Sequence, residues 1–443
     1  MRGIFLAALC AAFAAGSAHA ANWSKFVGSN PNFPNRLADH GLAIDDDSGY
    51  VAVDAYNRLN GSGQIEFVHQ YTIDDTGTIP WIWGLVGKNG SHAIVPHGAQ
   101  LRQGFRTTWI ERQVPPDDIG NPATDEIGFA AQNASQPTYW HVEPRTNGKV
   151  VQFSSIGWQG TALLRTLDAG AGYEVVSLDA GGWPRWRSTA QPCDAGVDPS
   201  NLVLDYAASI PGSWQPLISV AGTCANLSGT QVFAQRFDHD TGSSGMPEWI
   251  IPPPDRTLLR YAFSPAHELI AAYDTPWQMQ EIWRIGVPGA PYTAPSAPLF
   301  GLASIEDFAP TAGNDLVIAG REYGSGEQAI VPIYPVPGPF PITAVGGLAA
   351  FGPGDWQFAL DDEGRILALR KETVGAATQV RLVGLDSYGQ TVDWTQTIDN
   401  VLADAQPQVA VPRDNAHGFI VAVDTQDASG TIGVQVMRVG SPP

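Results

Sequence analysis

Apolar residues in this chain come in short runs that often alternate with polar ones, and Gly, Asp, Asn or Pro separates each run from the next. Gln231-Val232-Phe233-Ala234-Gln235-Arg236-Phe237 is typical, and so is Gly418-Phe419-Ile420-Val421-Ala422-Val423. A period of two puts side chains alternately on the two faces of an extended strand, and little of the chain shows the three-to-four spacing of an amphipathic helix. The pattern predicts many short antiparallel strands joined by tight turns. The 48 Gly and 35 Pro residues suit those turns, and the Pro-rich stretches 252–254, 288–298 and 332–341 fall where loops between strands belong.

A longer phrase repeats on top of this pattern: an apolar strand, an Asp, a Gly-bearing turn, then a Trp. It is carried by Asp74, Gly77 and Trp83, by Asp179, Gly181 and Trp186, by Asp238, Gly242 and Trp249, and by Asp386, Gly389 and Trp394. The Asp carboxylate can accept from backbone N–H groups two or three residues on, and the Gly takes the positive φ that the hairpin needs. The Trp can fill the wedge between adjacent sheets with its N–H free to find an acceptor. Trp140 closes a further unit. Recurrence at roughly fifty residues marks a repeat protein.

The long interval between Trp249 and Trp394 leaves room for two units without the Trp, closing near 292–295 and 340–342. The last unit has strands at 408–411, 418–423 and 432–439 and then stops without a fourth. Asn22 to Val27 is the candidate for that strand, with Trp23 where the closing Trp would stand. The expected architecture is an all-β β-propeller of eight four-stranded blades, its ring closed by the N-terminal strand, with seven blades as the alternative.

The phrase Leu/Ile-Asp-x-x-Gly-x-x-x-Trp resembles the degenerate repeats of quinoprotein-like (PQQ-type) propellers. The resemblance covers most of the chain after residue 20 and implies the fold. That superfamily holds dehydrogenases using pyrroloquinoline quinone and calcium, and also non-enzymatic members. The dehydrogenases typically carry adjacent half-cystines over the quinone, and this chain has no Cys-Cys. The non-enzymatic branch is therefore the better match. Ser177 to Gly182 is also similar to the Asp-box of sialidase propellers, but Trp183 and Pro184 break its spacing.

The ends and the charge add a setting. Arg2, the apolar run Ile4 to Ala15 and the small-x-small site Ala18-His19-Ala20 read as a signal peptide over residues 1–20, which leaves 21–443 as a single propeller domain. Leu9 stands where a lipobox before Cys10 would need a small residue. No later stretch is long and apolar enough to span a bilayer as a helix, so membrane insertion is not expected. Export to the periplasm or the extracellular medium follows, and twenty Arg against four Lys suit a GC-rich bacterial source. A formal charge of −20 repels phosphate backbones and argues against nucleic-acid partners. Cys193 and Cys224 could form one disulfide in an oxidising compartment or remain as two buried thiols.

Chemistry is harder to find. The chain has no G-x-S-x-G elbow, no phosphate-binding G-x-x-x-x-G-K-[ST] loop and no H-E-x-x-H. His267-Glu268 lacks the second His and reads as a polar pair at a strand end. His92 and His97 stand five apart, which puts them on opposite faces of a regular strand. Acidic turns occur at Asp45–Asp47, Asp74-Asp75, Asp117-Asp118 and Asp361-Asp362. Asp238 and Asp240 could offer oxygen ligands to calcium, and no other cofactor is expected. The reading that results is an exported, non-catalytic binding or scaffold propeller with a protein or glycan partner at one face. The balance lies against an enzyme. The alternative is a lyase or hydrolase acting on extracellular glycans, and a quinone- or metal-dependent oxidoreductase comes third.

Overall fold

The computed structural model describes residues 22–28, 35–44, 49–58, 65–86, 94–102, 105–114, 124–133, 139–144, 150–155, 160–167, 171–179, 183–207, 216–226, 229–263, 267–276, 279–285, 299–300, 302–310, 316–322, 324–333, 343–344, 346–352, 356–361, 365–386, 389–411 and 418–440. The expected signal segment, residues 1–20, lies outside them, as do Gly181 and the acidic stretches 45–47 and 117–118.

Among the described residues the strands form eight four-stranded antiparallel sheets. β1 is Trp23–Val27. Sheet 1 is β2 (Asn35–Ile44), β3 (Val51–Arg58), β4 (Ile65–Ile73) and β5 (Trp81–Val86). Sheet 2 is β6 (Ile94–Arg102), β7 (Phe105–Val114), β8 (Thr124–Asn133) and β9 (Tyr139–Pro144). Sheet 3 is β10 (Val150–Ser155), β11 (Thr161–Thr166), β12 (Tyr173–Leu178) and β13 (Pro184–Ala190). Sheet 4 is β14 (Ser200–Ala207), β15 (Leu217–Asn226), β16 (Gly229–Asp238) and β17 (Glu248–Ile250). Sheet 5 is β18 (Thr257–Phe263), β19 (Leu269–Asp274), β20 (Met279–Ile285) and β21 (Leu299–Phe300). Sheet 6 is β22 (Leu302–Pro310), β23 (Leu316–Glu322), β24 (Gln328–Ile333) and β25 (Thr343–Ala344), followed by a short 3-10 segment at Gly346–Phe351. Sheet 7 is β26 (Gln357–Leu360), β27 (Ile366–Val374), β28 (Ala377–Leu385) and β29 (Val392–Ile398). Sheet 8 is β30 (Gln408–Ala410), β31 (Phe419–Gln426), β32 (Ile432–Val439) and, as its fourth strand, β1. Trp23 pairs with Arg438 and Val27 with Val434.

Two sequence expectations shift. The closing strands of sheets 5 and 6 lie at Leu299–Phe300 and Thr343–Ala344, a few residues beyond the stretches chosen from the pattern, which fall outside the described residues. A register irregularity between Pro96 and Gly98 interrupts the alternation on which the opposite-face reading of His92 and His97 relied. His92 itself lies outside the described residues.

The core lies between successive sheets. On β16, Phe233 packs with sheet 3, while its neighbours Val232 and Ala234 pack with sheet 5. Strand alternation therefore makes one sheet serve two interfaces, and this is why β12 is buried at every position. The same pattern joins sheets 5 and 6, 6 and 7, and 7 and 8. Val27, Ile420, Val434 and Val436 of sheet 8 share a cluster with Leu37, Val51, Val53 and Ile73 of sheet 1, so the last sheet packs on the first. Fully burying a side chain such as Phe233 contributes about 1.5–3 kcal/mol.

A Trp-on-Gly contact recurs at these junctions. Trp186 of β13 lies against Gly242 in the turn after β16, where a Cβ would come within 2.5 Å of its ring. Trp23 of β1 lies against Gly77 in the turn after β4, where a Cβ would come within 2.9 Å. Trp394 of β29 lies against Gly440, just after β32, again with 2.9 Å for a Cβ. In the first two the indole N–H donates to the carbonyl of the residue after the turn Asp: Trp186 to His239 at 2.6 Å and Trp23 to Asp75 at 3.2 Å.

Candidate functional site

In an antiparallel meander the first-to-second and third-to-fourth connections share one end of the sheet. The second-to-third connection and the link to the next sheet share the other. Sheet 4 carries chemistry-bearing residues at both ends.

At the first end, Asp205 and Tyr206 are neighbours on β14 and so face opposite ways. Tyr206 Oη lies 2.6 Å from His239 Nδ1 in the turn after β16. Arg185 Nη1 lies 2.8 Å from His239 Nε2. A guanidinium only donates, which assigns Nε2 as the acceptor and leaves Nδ1–H to donate to the phenol oxygen. Burial first, and then the Arg185 charge, hold the His239 pKa below its ordinary value, consistent with that neutral ring. Burial pushes the Tyr206 phenol up. Both ring nitrogens of His239 are thus occupied, Nε2 by Arg185 of sheet 3 and Nδ1 by Tyr206 of its own sheet 4. In the other direction, His267 donates from Nδ1 to Asp205 Oδ2 at 2.7 Å. His267 stands just before β19 with φ 62°, in the left-handed region, and is buried. The strand-end reading of the His267-Glu268 pair agrees with this place. The Asp205 partner, brought by an adjacent sheet, was not legible in the sequence.

At the other end, the loop after β13 meets the ends of β15, β16 and β17. Cys193 of that loop is disulfide-bonded to Cys224 of β15, with Cα atoms 5.5 Å apart. The pair walls an open cleft of about 280 Å³ that is also lined by Pro192, Asp194, Gln231, Trp249 and Ile251. Trp249 is partly buried against Phe233, ring centroids 5.7 Å apart, and Ile251 is exposed. The Asp194 carboxylate, the Gln231 amide and the Trp249 N–H make no hydrogen bond among the described residues. Free polar groups around an apolar wall are the usual make-up of a small-molecule cleft. Sequence reading singled out Trp249 as framework and Cys193 and Cys224 as a pair. It had no signal for Asp194 and Gln231, which are distant in sequence.

Several of the other predicted positions make contacts within turns. Asp74 Oδ1 accepts from Thr76 N at 3.0 Å and Thr78 N at 2.8 Å. Asp179 accepts from Trp183 N at 2.9 Å, and Asp386 from Gln390 N at 2.8 Å. Gly77, Gly242 and Gly389 have φ of 81°, 70° and 68°, and each donates to the carbonyl of the turn Asp. Trp83 and Trp140 fall in β5 and β9, as the repeat requires, and their side chains lie outside the described residues. Asp238 Oδ1 accepts from Asp240 N at 3.1 Å, Thr241 N at 2.7 Å and the Thr241 hydroxyl at 2.8 Å. Hydrogen bonds from the Thr241 hydroxyl and backbone hold its carboxyl below the usual range. Among the described residues no three His, Cys, Asp or Glu side chains gather to hold a metal ion. No described helix is long and apolar enough to cross a membrane.

The chain matches no protein-family model and no curated protein. It is similar to several solved structures. One is the β-propeller domain of the trilobed protease from Pyrococcus furiosus, with an open velcro topology, at 9% identity over 78% of this chain and 93% of that one, TM-score 0.43. A second is an ulvan lyase from a new family of polysaccharide lyases, at 11% identity over 94% of this chain and 96% of that one, TM-score 0.42. A third is an acylaminoacyl peptidase from Pyrococcus horikoshii, at 8% identity over 89% of this chain and 58% of that one, TM-score 0.43. Likenesses this distant say nothing of what this chain binds or whether it catalyses. Its own four-stranded meanders, packed face to face in chain order, give it an all-β fold of the β-propeller type.

Proposed function

We propose that the chain is an exported, non-catalytic binding propeller of eight blades, closed into a ring by its N-terminal strand, and that it takes its ligand in the Trp249 cleft at one end of sheet 4. The Asp194, Gln231 and Trp249 groups lining that cleft, with no hydrogen-bond partner among the described residues, carry the reading. Ring closure is supported by the pairing of β1 with β32, the Trp23–Gly77 contact and the core shared by sheets 8 and 1. Export is supported by the disulfide, since such bonds persist in oxidising compartments. A signal peptide over 1–20 and one domain over 21–443 belong to the same reading. So does kinship with the non-enzymatic quinoprotein-like propellers, which the recurrent Trp-on-Gly contacts support.

One observation favours a second reading, a glycan lyase or hydrolase. Asp205 fixes the orientation of the His267 ring through Nδ1, as a general base is held in hydrolases, and His267 sits on left-handed backbone of the kind found at functional sites. The mature protein, with Trp249→Ala and His267→Ala variants, screened against immobilised glycans and proteins separates the two. Binding lost in Trp249→Ala and kept in His267→Ala is expected. Release of cleaved glycan by the native protein, absent in His267→Ala, would reverse the order.

A further inference from the structure

We propose that the cleft accepts a single neutral hexose residue, its C–H face on the Trp249 indole and its hydroxyls on Asp194 and Gln231, an inference resting on the cleft being the binding site. Size limits the occupant first. At about 280 Å³ the open cleft falls just below the range for small-molecule sites, about 300–1,000 Å³, which suits one ring better than an extended aromatic ligand.

Polarity narrows the class. A sugar presents hydroxyls that both donate and accept, around a ring with an apolar face. The cleft offers a carboxylate that only accepts, an amide that does both and an indole N–H that only donates. Asp194 is exposed, and a purely apolar ligand would leave its carboxylate and the Gln231 amide unused. Charge then excludes the acidic sugars. Among the described residues no Lys, Arg or His lines the cleft, its one acidic side chain is Asp194, and the chain as a whole carries −20, so a uronate, sulfate or phosphate meets no counter-charge there. The disulfide fixes part of the cleft wall covalently, so less of the loop after β13 has to be ordered when a ring enters.

Isothermal titration calorimetry of the mature protein against glucose, galactose, mannose, N-acetylglucosamine, glucuronate and 1-anilinonaphthalene-8-sulfonate tests this. At least one neutral sugar should bind in the millimolar range. Asp194→Asn should weaken it about tenfold, since a hydrogen bond to a charged acceptor is lost. Trp249→Phe, which keeps an aromatic face and the fold, should bind more weakly, and Trp249→Ala should not bind. Glucuronate binding as tightly as the neutral sugars, or the apolar dye binding at Trp249 while every sugar fails, would overturn the hexose assignment and leave the cleft as the site. Sugar binding indifferent to Trp249→Ala, or a peptide pairing with the edge of β17 instead, would overturn the cleft itself.

Discussion

Trp23 covers Gly77 so closely that a Cβ there would come within 2.9 Å of the indole, although 54 residues separate them and they belong to opposite ends of the chain's order of sheets. Trp186 covers Gly242 in the same way, within an ordinary run of consecutive sheets. The N-terminal strand therefore makes toward sheet 1 the contact that β13 makes toward sheet 4. Arg438 lies over Trp23, 5.5 Å from its centroid, and burial holds its guanidinium pKa down to about 10.

The Trp23–Gly77 contact is expected to be energetically coupled. Gly77→Ala forces a Cβ into left-handed backbone and against the ring, and should cost about 1–2 kcal/mol. Trp23→Ala removes a partly buried indole and should cost about 3 kcal/mol. The double variant should lose less than the sum, because the methyl added at position 77 no longer meets a ring. Urea unfolding midpoints for the four proteins check this.

Removing residues 21–27 should expose the edge of β32, which β1 otherwise pairs. An open edge strand recruits other chains. The truncated protein is expected to elute as dimers or larger species in size-exclusion chromatography, where the mature protein gives a smaller species. An unchanged elution position with unchanged stability would contradict ring closure by β1.

The Cys193–Cys224 bond closes a loop across a sequence separation of 31. Loop-closure entropy puts its contribution at about 3–4 kcal/mol. Replacing both Cys with Ser should lower the unfolding free energy by about that amount. Chemical denaturation of the variant beside the oxidised native protein provides the comparison.

Acid should weaken the His239 clamp. Its folded pKa is held below the unfolded value by burial and by Arg185, so its contribution is complete above the unfolded pKa of about 6.5 and is lost as pH falls below it. His239→Gln should flatten that part of the stability profile. Urea midpoints between pH 8 and pH 5, native minus variant, isolate the effect.

Asp238 is expected to act as a turn builder. Asp238→Ala removes the acceptor of three hydrogen bonds in an exposed turn and should cost about 1 kcal/mol, the same in millimolar calcium and in chelator. A melting temperature of the native protein that rises with calcium, and a variant that shows no such rise, would instead favour the calcium reading of Asp238 and Asp240.

Local chemistry made much of the fold legible. Asp74, Asp238 and Asp386 each build a turn within five residues, so their roles are written in neighbouring letters. Where the phrase decays, as before β21 and β25, the closing strands are only two residues long, and without a Trp their place was missed by a few positions. The register shift between Pro96 and Gly98, which sequence alternation does not announce, removes the basis of the parity argument for His92 and His97 without deciding where His92 lies, since it is outside the described residues.

By itself the chain determined its strands, its Asp–Gly turns and the unit that repeats, because hydrogen bonds within a hairpin and a period of two depend only on residues close in sequence. Tertiary packing decided which Trp meets which Gly, which histidine Asp205 and Tyr206 each hold, and that Asp194, Gln231 and Trp249 share a cleft. Those pairs stand far apart along the chain, and they meet only because neighbouring sheets pack face to face, as the core clusters among the described residues show.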